Sequence, residues 1–195
     1  MKEFAKGQRI KVASGGELEV IQKLGEGGQG VVYKVKYNGK ELALKWYFGN
    51  KLNDPDRFYR NIQNNIKKGA PTSAFLWPLE ITEYFEGSFG YLMELRPPEY
   101  KDFSLFLLAK ARFSSISAVV NAALCITNGF RELHNSGFSY QDLNDGNFFV
   151  NPKTGDVLIC DNDNVAEYGD ALGIAGIKTA CKRVFYDGSK HGIGH

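Results

Sequence analysis

Apolar and polar residues alternate with period two over residues 8–12 and 18–23, and Ser14-Gly15-Gly16 can turn the first run into the second. Two antiparallel strands are predicted there. A further alternating run, Val31 to Tyr37, stops at Asn38-Gly39, a strong two-residue hairpin signal, and returns as Glu41 to Tyr47. On the returning strand Leu42 and Leu44 share one face, Ala43 and Lys45 the other, and burial of one pair or the other is expected. Asp54-Pro55 opens a helix, with Asp as N-cap and Pro at the first position. Its apolar stripe is Phe58, Ile62 and Ile66, and Gly69 with Pro71 ends it. Phe75 to Tyr84 and Phe89 to Leu95 read as the last two strands of a small sheet, turned at Glu86-Gly87-Ser88.

From Asp102 the period becomes helical. Phe103 to Ala111 predicts a short apolar helix, and Ser114 or Ser115 can cap a longer one. That helix would bury Ile116, Val119, Val120, Ala123, Ile126, Phe130 and Leu133 on one face and end near His134, a packed helix-end residue. Two short apolar runs follow, Phe148-Phe149-Val150 and Val157-Leu158-Ile159-Cys160. The turn Asn151-Pro152-Lys153-Thr154-Gly155 would join them as a hairpin.

Composition narrows the class without naming a function. With 195 residues, 43% apolar and 24% charged, the chain suits one globular domain, or one split into two lobes. A net charge of +2 and the lack of a long Lys/Arg run give no field suited to nucleic acid. No segment has the length of a membrane span, and Met1 to Lys11 lacks a signal-peptide core, so no membrane association and a cytoplasmic location are expected. Cys125, Cys160 and Cys181 are expected to be buried free thiols.

The candidate chemistry lies in Leu24-Gly25-Glu26-Gly27-Gly28-Gln29-Gly30-Val31-Val32 and around the late hairpin. Glycines at 25, 27 and 30 let backbone N–H groups approach a phosphate chain without Cβ obstruction, although a plain glycine-rich hairpin has the same spacing. A dinucleotide site would need a helix next, whereas a strand follows. The late hairpin would gather Asp142, Asn147 and Asp161. One Asp that can accept a proton, with an Asn and an Asp offering oxygens to a hard cation, suits metal-assisted phosphoryl transfer. A calcium-loop reading of Asp161-Asn162-Asp163-Asn164 fails, because Ala166 stands where its glycine is needed and Leu172 where its Glu is needed.

Together these residues resemble the protein kinase family, whose catalytic loop reads His-Arg-Asp-Leu, then Asn five positions after that Asp, then Asp-Phe-Gly. Ala43-Leu44-Lys45 resembles its Val-Ala-Ile-Lys motif, and Tyr91 to Arg96 followed by Pro97-Pro98 resembles its hinge. The resemblance implies a two-lobed α+β protein kinase-like fold over residues 1–195. Its β-rich N-lobe would cover about 1–95, a hinge about 94–99, and an incomplete helical C-lobe about 100–195. It also implies ATP and Mg²⁺ as cofactors, and a protein serine/threonine hydroxyl as substrate. Gly25, Glu26, Gly27, Gly28, Gln29, Gly30 and Val32 would cover the nucleotide, with Ala43 and Met93 beside the adenine. The backbones of Glu94 and Arg96 would meet the base edge. Lys45 would reach the α- and β-phosphates, Asp142 would take the hydroxyl proton, and Asn147 and Asp161 would hold Mg²⁺.

The pattern also departs from the family. Kinases supply a helix Glu that pairs with the lysine, but no acidic residue lies between Arg57 and Glu80, and Gln63, Asn64 and Asn65 are expected to face Lys45 instead. Tyr140-Gln141 stand for His-Arg, Asn144 for a Lys, and Asp163 for the last glycine of Asp-Phe-Gly. Gly173 to Gly176 look like the start of an activation segment, but Ile177 to His195 carry no Ala-Pro-Glu. A truncated or frame-altered C-lobe with impaired transfer is therefore expected. The alternatives are a catalytically silent nucleotide-binding scaffold and a small-molecule kinase.

Overall fold

The computed structural model describes residues 3–169. The expectations placed on Gly173–Gly176, Cys181 and the segment from Ile177 onward lie outside the described residues. Six strands form one antiparallel sheet: β1 (Arg9–Lys11), β2 (Glu17–Glu26), β3 (Gly30–Tyr37), β4 (Lys40–Tyr47), β5 (Glu80–Ile81) and β6 (Gly90–Met93). Their order is β1-β2-β3-β4-β6-β5. Asn38 and Gly39 both take positive φ, 49° and 79°, as a primed hairpin turn requires.

The sheet is buried on both faces, so the choice offered for β4 dissolves. Leu42, Leu44 and Trp46 pack with Leu18, Val20, Val31, Tyr33 and Val35 on one side. Ala43, Lys45 and Tyr47 face the other, where α1 (Pro55–Lys68) lies. The Asp54 side chain accepts from the Arg57 N–H at 3.0 Å, with Pro55 at the first helical position. Phe58 and Ile62 are buried against Tyr47, Phe89 and Tyr91, and each such burial stabilises by about 1.5–3 kcal/mol.

The strand predicted over Phe75 to Tyr84 pairs within the sheet only around β5, with a bridge from Thr82 to Val12 just beyond it. Before it the chain is diverted to the other lobe: Leu76 N–H donates to the Ile159 carbonyl at 2.9 Å and Ile159 N–H to Ala74 at 2.7 Å. The apolar helix predicted over 103–111 shrinks to α2 (Ser104–Leu107), because Ala109 turns to φ 55° and breaks the helical path.

The long helix α3 (Ile116–Asn135) begins at Ser115, whose hydroxyl accepts from Ala118 N–H at 3.1 Å. Its buried face matches the expected one only toward the C-terminal end, where Leu133 is buried and Ile126 and Phe130 pack against the same core. Ala118, Ala122, Gly129 and Leu133 point inward, while Ile116, Val119, Val120 and Leu124 are exposed. Close packing explains the choice: an added Cβ on Gly155 would lie 2.1 Å from the Ala118 carbonyl oxygen, so only small residues fit where the hairpin turn crosses the helix. His134 at the end of α3 is exposed, its ring 6.4 Å from that of Phe130.

Beyond α3 lie β8 (Phe138–Tyr140), β9 (Phe148–Val150), β10 (Val157–Ile159) and β11 (Val165–Glu167). The predicted hairpin is present, with Val150 opposite Val157 and Phe148 opposite Ile159. β7 (Lys101–Asp102) joins its edge, and β11 pairs with β8. Cys125 and Cys160 are free and half-buried rather than fully buried. Among the described residues no helix is long and apolar enough to cross a membrane.

Candidate active site

Strand pairing sets Lys45 first. β4 places it opposite Val32 on β3 and Tyr91 on β6, pointing to the α1 side of the sheet. Its stem is buried and its ammonium meets two carboxylates. Asp163 receives it at 2.9 Å on Oδ2 and 3.2 Å on Oδ1, and Asp161 at 3.0 Å on Oδ1. Burial alone would push the ammonium down, but the charges of Asp163 and Asp161 outweigh it and hold it above the usual lysine range. Tyr47 donates to Asp163 Oδ2 at 2.6 Å and Tyr91 to Oδ1 at 3.3 Å. Burial, then the Asp163 charge, pushes both phenols well above their ordinary value, so they act as donors.

The amides of α1 do not hold Lys45, contrary to expectation. Asn61 and Asn65 each donate to the Val165 carbonyl at 2.8 Å, and Asn64 donates to Glu167 Oε1 at 2.7 Å. A buried carbonyl left unpaired is costly, and the Val165 oxygen draws these donors to β11. Lys68 adds an ion pair with Glu167 at 2.9 Å.

The segment between β8 and β9 brings the other candidates together. Asn144 caps a short turn by accepting from Gly146 N–H at 3.0 Å. Asn147, buried, donates from Nδ2 to the Asp142 carbonyl at 2.7 Å, which leaves its amide oxygen as the end with ligand chemistry. Its backbone carbonyl accepts from Cys160 N–H at 2.8 Å, which fixes Asn147 beside the end of β10. Asp161 follows at φ 51°, ψ 43°, a strained left-handed conformation for a non-glycine residue. Burial raises its carboxyl above the ordinary range although Lys45 opposes the shift, and Asp163 and Asp142 add to it. Its side chain remains 37% exposed, whereas that of Asp163 is fully buried. Tyr140, where the resembled motif has histidine, donates to the Cys160 carbonyl and braces the end of β10. Burial pushes the Cys160 thiol up to about 12, which makes it a poor nucleophile.

The glycine turn spans Gly27 to Gln29 between β2 and β3, closed by Gly27 N–H on the Gly30 carbonyl at 2.9 Å. Open space surrounds the Cβ positions of Gly25, Gly27 and Gly28. Gly30 has a structural reason of its own: an added Cβ would sit 2.1 Å from the Trp46 carbonyl oxygen. Glu26 pairs with Lys23 at 2.6 Å, and the Gln29 carbonyl accepts from Phe48 N–H at 2.8 Å. Val32, Ala43 and Met93 from the sheet pack in one apolar cluster with Leu95, Leu158 and Cys160, a surface suited to a flat aromatic base. Glu94 and Arg96 follow the end of β6. The Arg96 guanidinium lies 4.1 Å from the centre of the Phe149 ring and donates to the Tyr100 carbonyl at 3.1 Å.

The donor set fits a hard divalent cation: a half-exposed carboxylate at Asp161 and an amide oxygen at Asn147. Among the described residues no group of three His, Cys, Asp or Glu side chains gathers into a metal site, so remaining ligands would come from phosphate oxygens and water. The groups that sequence reasoning missed are Asp163, Tyr47 and Tyr91. Tyr47 could have been found as the residue two beyond Lys45 on the same strand face.

No protein-family model matches the chain, and no curated protein matches it in sequence. Solved structures do match. The kinase domain of Mycobacterium tuberculosis PknI is 20% identical over 83% of this chain and 62% of its own, with a TM-score of 0.60. A mutant form of the same domain gives 20% identity, 83% and 64% coverage, and a TM-score of 0.61. Vaccinia related kinase 3 is 13% identical over 86% of this chain and 54% of its own, with a TM-score of 0.59. The chain thus spans less than two thirds of the length of these structures, and identities this low speak to the fold.

Proposed function

We propose that this protein, whose chain has the two-lobed protein kinase-like fold, is an ATP- and Mg²⁺-dependent phosphotransferase acting on a serine or threonine hydroxyl of a cytoplasmic protein. The observation that carries this reading is the meeting of Lys45 with Asp161 at 3.0 Å, beside an Asn147 whose amide nitrogen is committed to the Asp142 carbonyl. Lys45 would bind phosphate oxygens, and Val32, Ala43 and Met93 would cover the base. Gly28 would bring its backbone N–H over the phosphates, with Gly25 and Gly27 leaving room beside it; the Gly27 N–H is committed to the Gly30 carbonyl. Asn147 and Asp161 would hold the cation, which when bound neutralises charge on the phosphate oxygens. Asp142 would orient the acceptor hydroxyl and take its proton.

Thermal melts with and without Mg-ATP test binding. A nucleotide at a hundredfold excess over Kd stabilises by about 2.7 kcal/mol, a shift of roughly 5–11 °C for a chain of this size. Asp161→Asn should remove the metal dependence of that shift. Asp142→Asn should keep the shift and abolish radiolabel transfer to a basic protein substrate. No shift at millimolar nucleotide would sink the proposal. A shift without Asp142-dependent transfer would instead favour the silent nucleotide-binding scaffold.

A further inference from the structure

We propose that Asp163 is the positioning residue for Lys45, filling the role that α1 leaves empty; this rests on the reading of Lys45 as the phosphate-binding cation. Two carboxylates reach the ammonium, and they differ in what else they can do. Asp161 is 37% exposed and can be shared with a cation in the cleft. Asp163 is wholly buried, and its oxygens already receive Lys45, Tyr47 and Tyr91. It has neither the access nor the spare lone pairs of a metal ligand.

Its backbone is held as firmly as its side chain. Asp163 sits on the short turn Asn162–Asn164, whose three residues are all buried. Asn162 anchors that turn by donating from Nδ2 to the Leu76 carbonyl at 2.9 Å and to Ile159 at 2.8 Å. When a cation draws Asp161 away, Lys45 therefore keeps one full carboxylate, fixed in direction by two phenols. No residue of α1 is needed for this. The acidic residue that breaks the Asp-Phe-Gly pattern supplies the charge missing from the helix. Placement of the lysine then depends on the Asn162–Asn164 turn and not on movement of α1.

The test is a double-mutant cycle on Mg-ATP affinity, measured by calorimetric titration on the 195-residue chain, with circular dichroism to verify folding. Asp163→Asn should weaken Mg-ATP about tenfold in the parent, the lower end of what loss of an orienting partner costs a binding group. In a Lys45→Met background the same change should have no further effect, because its influence passes through the ammonium. Tyr47→Phe, which keeps the charge pair and removes one donor, provides a milder arm should Asp163→Asn not fold. It should weaken binding by a few-fold in the parent and not at all with Lys45→Met. Equal affinity of parent and folded Asp163→Asn overturns the inference while leaving nucleotide binding intact. So does an undiminished loss in the Lys45→Met background, which would mark Asp163 as merely structural. A parent chain that binds no nucleotide overturns both readings together.

Discussion

Lys45→Met in the nucleotide-free chain isolates the energetic weight of the buried ion pair. Methionine keeps an unbranched apolar stem of similar length, so most of the packing along β4 survives and the ammonium alone is lost. Asp163, with no exposed surface, is then left as a buried carboxylate without a counter-charge. Breaking a buried pair from one side costs about 3–5 kcal/mol. Tyr47 and Tyr91 still donate to Asp163, which places the expected loss near the lower figure, about 3 kcal/mol. For a chain of this length that lowers Tm by roughly 6–12 °C. Lys45→Met/Asp163→Asn removes both charges and should recover most of the loss. The pH sign also follows. The Lys45 pKa is raised above its ordinary 10.5, so its contribution is complete below that value and fades only as pH rises through the higher folded value. The gap between parent and Lys45→Met should therefore hold on the alkaline side up to about pH 9 and narrow toward acid, where Asp161, raised by burial and no longer held down by Lys45, takes up a proton in the variant. Calorimetric melts decide the matter. A Lys45→Met chain melting within about a degree of the parent, or a double variant melting below the single one, would refute the reasoning.

Two further substitutions probe the frame around the site. Asn64→Glu would set a second carboxylate where Asn64 now donates to Glu167, so it should lower Tm and leave Mg-ATP affinity unimproved in a titration. Gly155→Ala forces a Cβ onto the Ala118 carbonyl at a residue with φ 80°. Urea unfolding should show a loss of at least about 2 kcal/mol with no change in nucleotide affinity per folded molecule.

The parts of the fold legible from sequence are those carried by local signals. Asn38-Gly39, the Asp54-Pro55 cap and the Asn151–Gly155 turn each fix a backbone path within a few residues, and the elements beside them formed where expected. The inward face of α3 was legible at its C-terminal end, where Ile126, Phe130 and Leu133 pack inward, but not over its first turns, where two apolar stripes compete. The larger side chains suggest one stripe, while the approach of the Gly155 turn selects the one built on Ala118, Ala122 and Gly129. The partner of Lys45 was hidden for a different reason. It lies 118 positions away, and within its own stretch Asp163 reads only as a departure from a motif. The gathering of Asp142, Asn147 and Asp161 could be expected because one hairpin of short connections holds all three.

The ties from α1 to β11 bear on how the cleft can move. Asn61 and Asn65 on Val165, with Asn64 and Lys68 on Glu167, stitch the segment after Asp161 to the small lobe at several depths. A wide rotation of one lobe against the other would have to part these bonds and a buried ammonium–carboxylate pair at once. The ties given for the glycine turn, Gly27 N–H to the Gly30 carbonyl and Phe48 N–H to Gln29, stay within the small lobe. Displacing the glycine turn would therefore break none of the ties that hold the two lobes together.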